Sequence, residues 1–289
     1  MKVPTLPIRS YLYVPGSDPR RIEKALASEA DAVILDLEDA VAPNRKEEAR
    51  TTVAEVLRSE HEKPVFVRIN APDSVLAEED VEAVAGPRLA GLRLPKTESP
   101  ESVRRVAQHL EKLGCEAGLQ CLIESALGLE FAFDIAGAHE KVVGMSLGEA
   151  DLAADLGVRG DAGDAGLLYA RSRLVAATRA AGLPGPVQSV YTNVRDAEGL
   201  RRSTMEGKNM GFVGRSAIHP AQIEVINEVF TPTEEEVAEA KDLLARLEES
   251  TGTGTGAFAL EDGRFVDEAV VGSARLTLAL ARREREGVS

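Results

Sequence analysis

The chain has 289 residues, a formal net charge of −14 and 4% aromatic residues. Binding a phosphate backbone needs clustered Lys and Arg that release counterions, so this balance excludes a nucleic-acid groove and points to small-molecule or protein partners. The length exceeds one sandwich or dinucleotide-binding unit and suits one α/β barrel plus a tail.

The opening stretch MKVPTLPIRS carries Pro4 and Pro7 and no continuous apolar core, so it does not read as a secretory signal. β-rich runs then recur at 10–14 (SYLYV), 32–36 (AVILD), 64–69 (PVFVRI), 91–94 (GLRL), 119–123 (LQCLI), 142–146 (VVGMS), 187–191 (VQSVY) and 211–216 (GFVGRS). Helical patterns fill the gaps, which is the signature of parallel βα units. Asp18 before Pro19 and Ser99 before Pro100 are N-cap and first-turn pairs. Eight such strands close into a (β/α)8 TIM barrel, expected over 1–230.

Past the barrel, Thr233 has capping-box spacing to Glu236 and opens a charged helix toward Ser250. TGTGTG at 251–256 follows that helix and precedes no clear phosphate-binding helix, so it reads as a flexible connection. The stretch 263–286 restores an apolar pattern with basic residues at its end, as suits a final helix. The segment 231–289 is therefore expected to be an ordered C-terminal helical extension. Cys115 and Cys121 form neither a CxxC pair nor a disulfide framework, and read as buried small residues in a reducing compartment. No stretch approaches a membrane span, so a cytoplasmic protein is expected.

Active sites of such barrels sit at the C-terminal ends of the strands. The polar residues that follow the strands are Asp36, Glu38 and Asp39, then Arg68 and Asn70, Lys96, Glu124 and Ser125, Glu149 and Asp151, Tyr191 and Thr192, and His219. A rim of carboxylates with little Cys or His favours a hard cation such as Mg²⁺, which takes one or two protein carboxylates and leaves room for water and substrate oxygens. Carboxylates gathered without a cation would raise one another's pKa, and a divalent ion with Arg68 and Lys96 nearby would relieve that. Each acid at 36–39 reads equally as a helix cap or surface-pair residue. Arg68 reads as a structural ion-pair partner or as a grip for an α-keto carboxylate. Glu149 suits a helix first turn, His219 a helix start, and His61, His109 and His139 the surface.

With those residues in view, the chain resembles the citrate lyase β-subunit-like family, which includes malyl-CoA and citramalyl-CoA lyases. The resemblance runs through YLYVPGSDPRRIEKAL, DAVILDLEDAVAP, VRIN, LPKTES, LIESALGLE, SLGEADLAADLG, LLYARSRLVAATRAAGLPGPVQSVYT, AIHPAQIEVINEVFTPTEEEV and GRFVDEAVV. It implies a Mg²⁺-dependent barrel that cleaves or forms a carbon–carbon bond between an acyl thioester and a keto acid. It implies Glu124 and Asp151 as Mg²⁺ ligands, with Glu124 also near the substrate, Arg68 as a catalytic residue that contacts substrate, and Asp36, Glu38 and Asp39 as a loop near the metal. Asp267 matches a catalytic aspartate that malyl-type lyases supply from a neighbouring subunit, which implies a homo-oligomer, trimer or hexamer. IES in place of the commoner IET or IEV, and GRSAIHP in place of a Lys-Leu-Cys version, leave open the choice among oxaloacetate, glyoxylate and pyruvate and between CoA and a carrier protein. Arg20, Lys24 and Lys46 read as phosphate contacts for the thioester arm or as solvated surface. Two alternatives remain: a metal-dependent pyruvate aldolase on free hydroxy-keto acids, and a non-catalytic subunit that keeps the metal site.

Overall fold

A computed structural model describes residues 7–159, 165–251, 258–259, 265–266 and 268–286. Eight parallel strands close in chain order: β1 (Ser10–Pro15), β2 (Ala32–Asp36), β3 (Val65–Arg68), β4 (Leu89–Leu94), β5 (Gly118–Ile123), β6 (Val142–Leu147), β7 (Val187–Gln188) and β8 (Gly214–Ala217). Closure runs through the β1 and β8 ladder, where Ser10 pairs with Arg215 and Leu12 with Ala217. The architecture is the expected (β/α)8 barrel.

The helices of the barrel are α1 (Pro19–Leu26), α2 (Lys46–Arg58), α3 (Leu76–Val84), α4 (Pro100–Lys112), α5 (Ala126–Glu130), α6 (Ala132–Ala136), α7 (Glu149–Asp155), α8 (Leu168–Ala180), α9 (Ala197–Met210) and α10 (Ile223–Phe230). Asp18 caps α1 by accepting from the Arg21 amide, and Ser99 caps α4 by accepting from that of Ser102. The α4 helix buries Val103, Val106, Ala107 and Leu110, one stripe at helical spacing against the barrel wall. Truncating Leu110 to Ala would cost about 2–5 kcal/mol, because the cavity cannot fully collapse.

Alternation along the strands explains why charges gather at one end. Inside the barrel, Ile8, Tyr11, Ala32, Ile34, Phe66, Ala90 and Val187 form a buried apolar cluster, with Tyr11 edge-on to Phe66. Two residues further along the same faces stand Asp36 after Ile34 and Arg68 after Phe66, so the apolar interior gives way to charge at the C-terminal rim. At the opposite end Asp31 accepts from the backbone and side chain of Arg9, a clamp that serves stability.

Two strands differ from expectation by three residues at one end. The seventh was expected over 187–191, yet only Val187 and Gln188 join the ladder. The eighth was expected from 211, but Gly211 ends α9 in the left-handed conformation, at φ 105°, and the strand starts only at Gly214. Cys115 and Cys121 are both buried, and burial pushes the Cys121 thiol up to about 12.

Contacts divide the chain into two compact units, Met1–Asn227 and Glu228–Ser289. Within the second unit, Thr233 and Glu236 exchange the two hydrogen bonds of a capping box and open α11 (Glu234–Thr251). A two-stranded antiparallel ribbon, β9 (Phe258–Ala259) and β10 (Phe265–Val266), precedes α12 (Glu268–Glu286). The apolar pattern from 263 is thus divided between a strand and a helix. Most of TGTGTG lies outside the described residues. Among the described residues no helix is long and apolar enough to cross a membrane.

Candidate active site

A cavity of about 430 Å³ opens at the C-terminal ends of the strands, and Tyr13, Asp36, Arg68, Arg93, Glu124 and Asp151 are among the residues that line it. Its first wall is the end of β2. Asp36 accepts from the Glu38 and Ala40 amides, at 2.9 and 3.1 Å, which folds the following loop back over the carboxylate. The same carboxylate receives Nε and Nη2 of Arg68 at 2.7 and 2.5 Å. Burial alone would lower the Arg68 pKa, but the hydrogen bonds and charge of Asp36 outweigh it, and the net shift is upward.

Glu38 is the second partner of Arg68, with Oε2 at 3.0 Å from Nη1, while its Oε1 accepts from Lys96 Nζ at 2.6 Å. Burial raises the Glu38 pKa, against the opposing pull of Arg68 and Lys96. Asp39 is 59% exposed on its side chain and stands 3.7 Å from Arg68 and 3.6 Å from Lys96. The acids at 36–39 thus have a structural occupation. They hold two cations at the rim.

The loop is anchored from below. Lys46 Nζ donates to the carbonyls of Leu37 and Glu38, both at 2.6 Å, and to Oδ1 of Asn70 at 2.7 Å. Asn70 in turn donates to Asp80, which also receives Arg50 Nε at 2.9 Å. Lys46 is therefore no free surface lysine for a phosphate. Its ammonium is used up by loop acceptors that no local sequence pattern links to it.

Facing this wall is Glu124, at the end of β5. Its Oε1 accepts from the Lys96 amide at 2.7 Å, and Lys96 takes the left-handed conformation, at φ 48°. Gly148 makes room on the other side, since a Cβ there would come within 2.6 Å of the Glu124 side chain. Burial first, and then the charges of Glu38 and Asp151, push the Glu124 carboxyl up to about 7, against the Lys96 amide and Arg68. Asp151 lines the same cavity from the first turn of α7, where the helix N-terminus favours an anion.

Such a pair asks for a cation. Two carboxylates lining one open cavity suit Mg²⁺, which keeps several positions for water and substrate oxygens. Among the described residues no three of His, Cys, Asp and Glu are grouped so as to hold a metal ion, so the chain would offer the two carboxylates and leave the other positions to water and substrate.

The remaining rim residues fall elsewhere. Glu149 pairs through both oxygens with Arg171 of α8, at 2.9 and 2.7 Å. Tyr191 donates to Asp196 at 2.7 Å, Ser125 caps α5, and His219 is exposed with Nδ1 accepting from the Ala221 amide. Asp267 lies outside the described residues. Sequence reasoning passed over Tyr13, Arg93 and Gly148, although an arginine inside the apolar run GLRL was a visible anomaly.

Comparison with known proteins follows the same lines. The family model described as HpcH/HpaI aldolase/citrate lyase matches residues 9–220. The (3S)-malyl-CoA thioesterase of Cereibacter sphaeroides is 38% identical over 95% of each chain. The mitochondrial citramalyl-CoA lyase of Homo sapiens is 36% identical over 97% of this chain and 87% of its own. Among solved structures, CitE of Mycobacterium tuberculosis in complex with magnesium, acetoacetate and coenzyme A is similar at a TM-score of 0.75 and 34% identity. That match covers 95% of this chain and 98% of the other.

Proposed function

Because the chain belongs to the HpcH/HpaI aldolase/citrate lyase family, we propose that it is a Mg²⁺-dependent carbon–carbon lyase acting on a citryl, malyl or citramalyl type of thioester. The products on this reading are a keto acid and an acetyl thioester. The observation that carries it is the meeting, in one cavity, of Glu124 and Asp151 with an arginine that Asp36 and Glu38 hold in place.

Glu124 and Asp151 would hold the ion, and when bound it supplies Lewis-acid polarisation of the keto-acid oxygens. Arg68 presents five N–H groups; Asp36 takes two, Glu38 Oε2 stands 3.0 Å from Nη1, and those not so engaged are left to grip a substrate carboxylate or the oxygen on which charge develops. Lys96 orients Glu124 through its amide and Glu38 through its ammonium, so one residue ties the two walls together. Leu122 and Leu147 give the cavity apolar surface that keeps water from the reacting carbons. Cleavage also requires a proton for the enolate carbon, a role we assign to Asp267 on the resemblance alone.

The thioester arm has a candidate path. A neighbouring cavity of about 620 Å³, lined by Arg20, Arg21 and Arg45, shares Pro15, Arg21 and Ala40 with the first. Arg45 is engaged with Glu48 and Arg21 pairs with Asp18 at 3.2 Å, while Arg20 is exposed and suited to a phosphate. The CitE complex with coenzyme A supports a thioester of this kind.

Incubating the purified chain with Mg²⁺ and a panel of citryl-, malyl- and citramalyl-CoA tests the reading. A keto acid and acetyl-CoA in equal amounts are expected. Release of free CoA and the intact hydroxy acid, the activity for which the Cereibacter relative is named, would replace the lyase reading with a hydrolase.

A further inference from the structure

Arg93 of β4 is the largest fully buried side chain of the barrel, with 1% of its surface exposed. A buried guanidinium is costly unless an acid compensates it. Arg68, its register partner on β3, has that compensation in Asp36 and Glu38. Arg93 has only neutral partners: Nη1 donates to Ser216 Oγ at 2.9 Å and Tyr13 Oη at 3.3 Å, and Nη2 donates to Gln120 Oε1 at 2.7 Å. Among the described residues it forms no ion pair, and its Nε is buried with no hydrogen-bond partner. The rings of Tyr11 and Tyr13 lie within cation–π range, at 5.1 and 5.6 Å, and temper the charge without neutralising it.

The place of this charge matters. Arg93 lines the same cavity as Glu124 and Asp151, from the body of a strand rather than from a loop, so it forms part of the floor. The ring of Tyr13 is in cation–π range of both Arg68 and Arg93, which puts the two guanidinium groups within the reach of one small dianion. A floor cation lacking its anion is the arrangement expected where the substrate brings the anion.

We propose that Arg93 is a specificity-determining residue that receives a second carboxylate of the substrate, so that the preferred keto acid is a dicarboxylate and not a monocarboxylate. This rests on the lyase reading above. In it, one carboxylate lies at the Glu124, Asp151 and Arg68 end, and the other meets the Arg93 guanidinium where it lines the cavity. A monocarboxylate such as pyruvate leaves that charge uncompensated.

The test is titration calorimetry of the Mg²⁺-loaded protein with oxaloacetate and with pyruvate, repeated on Arg93→Met and Arg93→Lys, with thermal unfolding of each variant alongside. In the wild-type protein oxaloacetate is expected to bind at least tenfold more tightly than pyruvate. Arg93→Met should reduce that ratio at least tenfold while its unfolding stays that of a folded barrel, and Arg93→Lys should restore part of the ratio. Equal wild-type affinity for the two acids, or an unchanged ratio in Arg93→Met, would overturn the assignment and leave the lyase reading intact. Binding of neither acid by the wild-type protein would overturn both.

Discussion

The Lys96 amide donates to Oε1 of Glu124 at 2.7 Å from a backbone at φ 48°, in the left-handed region that side chains with a Cβ avoid. The strain is kept because it aims one N–H at the carboxylate while the ammonium of the same residue reaches Glu38. Replacing Lys96 by Ala or by Gly removes the ammonium in both cases, and only Ala retains the steric cost. Lys96→Gly is expected to be more stable than Lys96→Ala by about 1 kcal/mol in denaturant unfolding. Equal stabilities, or an advantage for Ala, would remove strain from the description of this loop.

Glu124 makes the stability of the metal-free protein depend on pH. Its carboxyl rises from an ordinary value of 4.5 to about 7 in the fold, so between those values the folded chain keeps a proton that the unfolded chain releases. Stability of the metal-free protein therefore falls as pH rises through this window and levels off above it. Glu124→Gln is neutral throughout and keeps an acceptor for the Lys96 amide. In EDTA, its denaturation midpoint is expected to gain on the wild type between pH 5 and pH 8. A difference that stays constant or shrinks would contradict the burial-driven shift.

Arg68→Lys keeps the charge and loses the planar fork that meets Asp36 at two points. We expect kcat/KM to fall about a hundredfold or more, since a lysine cannot grip Asp36 and a substrate oxygen together. Were Arg68 only an ion-pair partner of Asp36, the variant would stay close to full activity in steady-state kinetics.

These effects mark the boundary of what can be read from sequence. The second strand was legible to the residue because an uninterrupted apolar run stops at Asp36. The seventh was over-extended because Val190 and Tyr191 have strand-forming character, yet Ser189 and Val190 line the cavity and Tyr191 turns to Asp196. The eighth strand was started three residues early because Gly211 was read as strand and not as the left-handed cap of α9. At the site, the carboxylates stood out through their position after strands. The partners of Lys46 and the solitary charge of Arg93 did not, because they come from strands and loops far apart in the chain and meet only when the barrel closes.

We further propose that Asp267, from the segment 231–289, completes the barrel of a neighbouring subunit. Arg68→Ala and Asp267→Ala should each be nearly inactive. In an equal mixture with exchanged subunits, about a quarter of sites would pair an intact barrel with an intact segment across a heterologous interface. Recovery of activity toward that fraction is the expected result. A mixture shown by mass spectrometry to have exchanged, yet still inactive, would assign Asp267 to its own barrel or to no catalytic part.

The most direct measurement is titration calorimetry of Mg²⁺ into the protein in the presence of oxaloacetate, for the wild type, Glu124→Gln and Asp151→Asn. Two carboxylates supply the charge that would hold the ion, so each variant is expected to lose Mg²⁺ affinity severely while its circular dichroism stays that of the folded barrel. Affinity unchanged in both variants would contradict the metal site, and with it the proposed chemistry of the cavity.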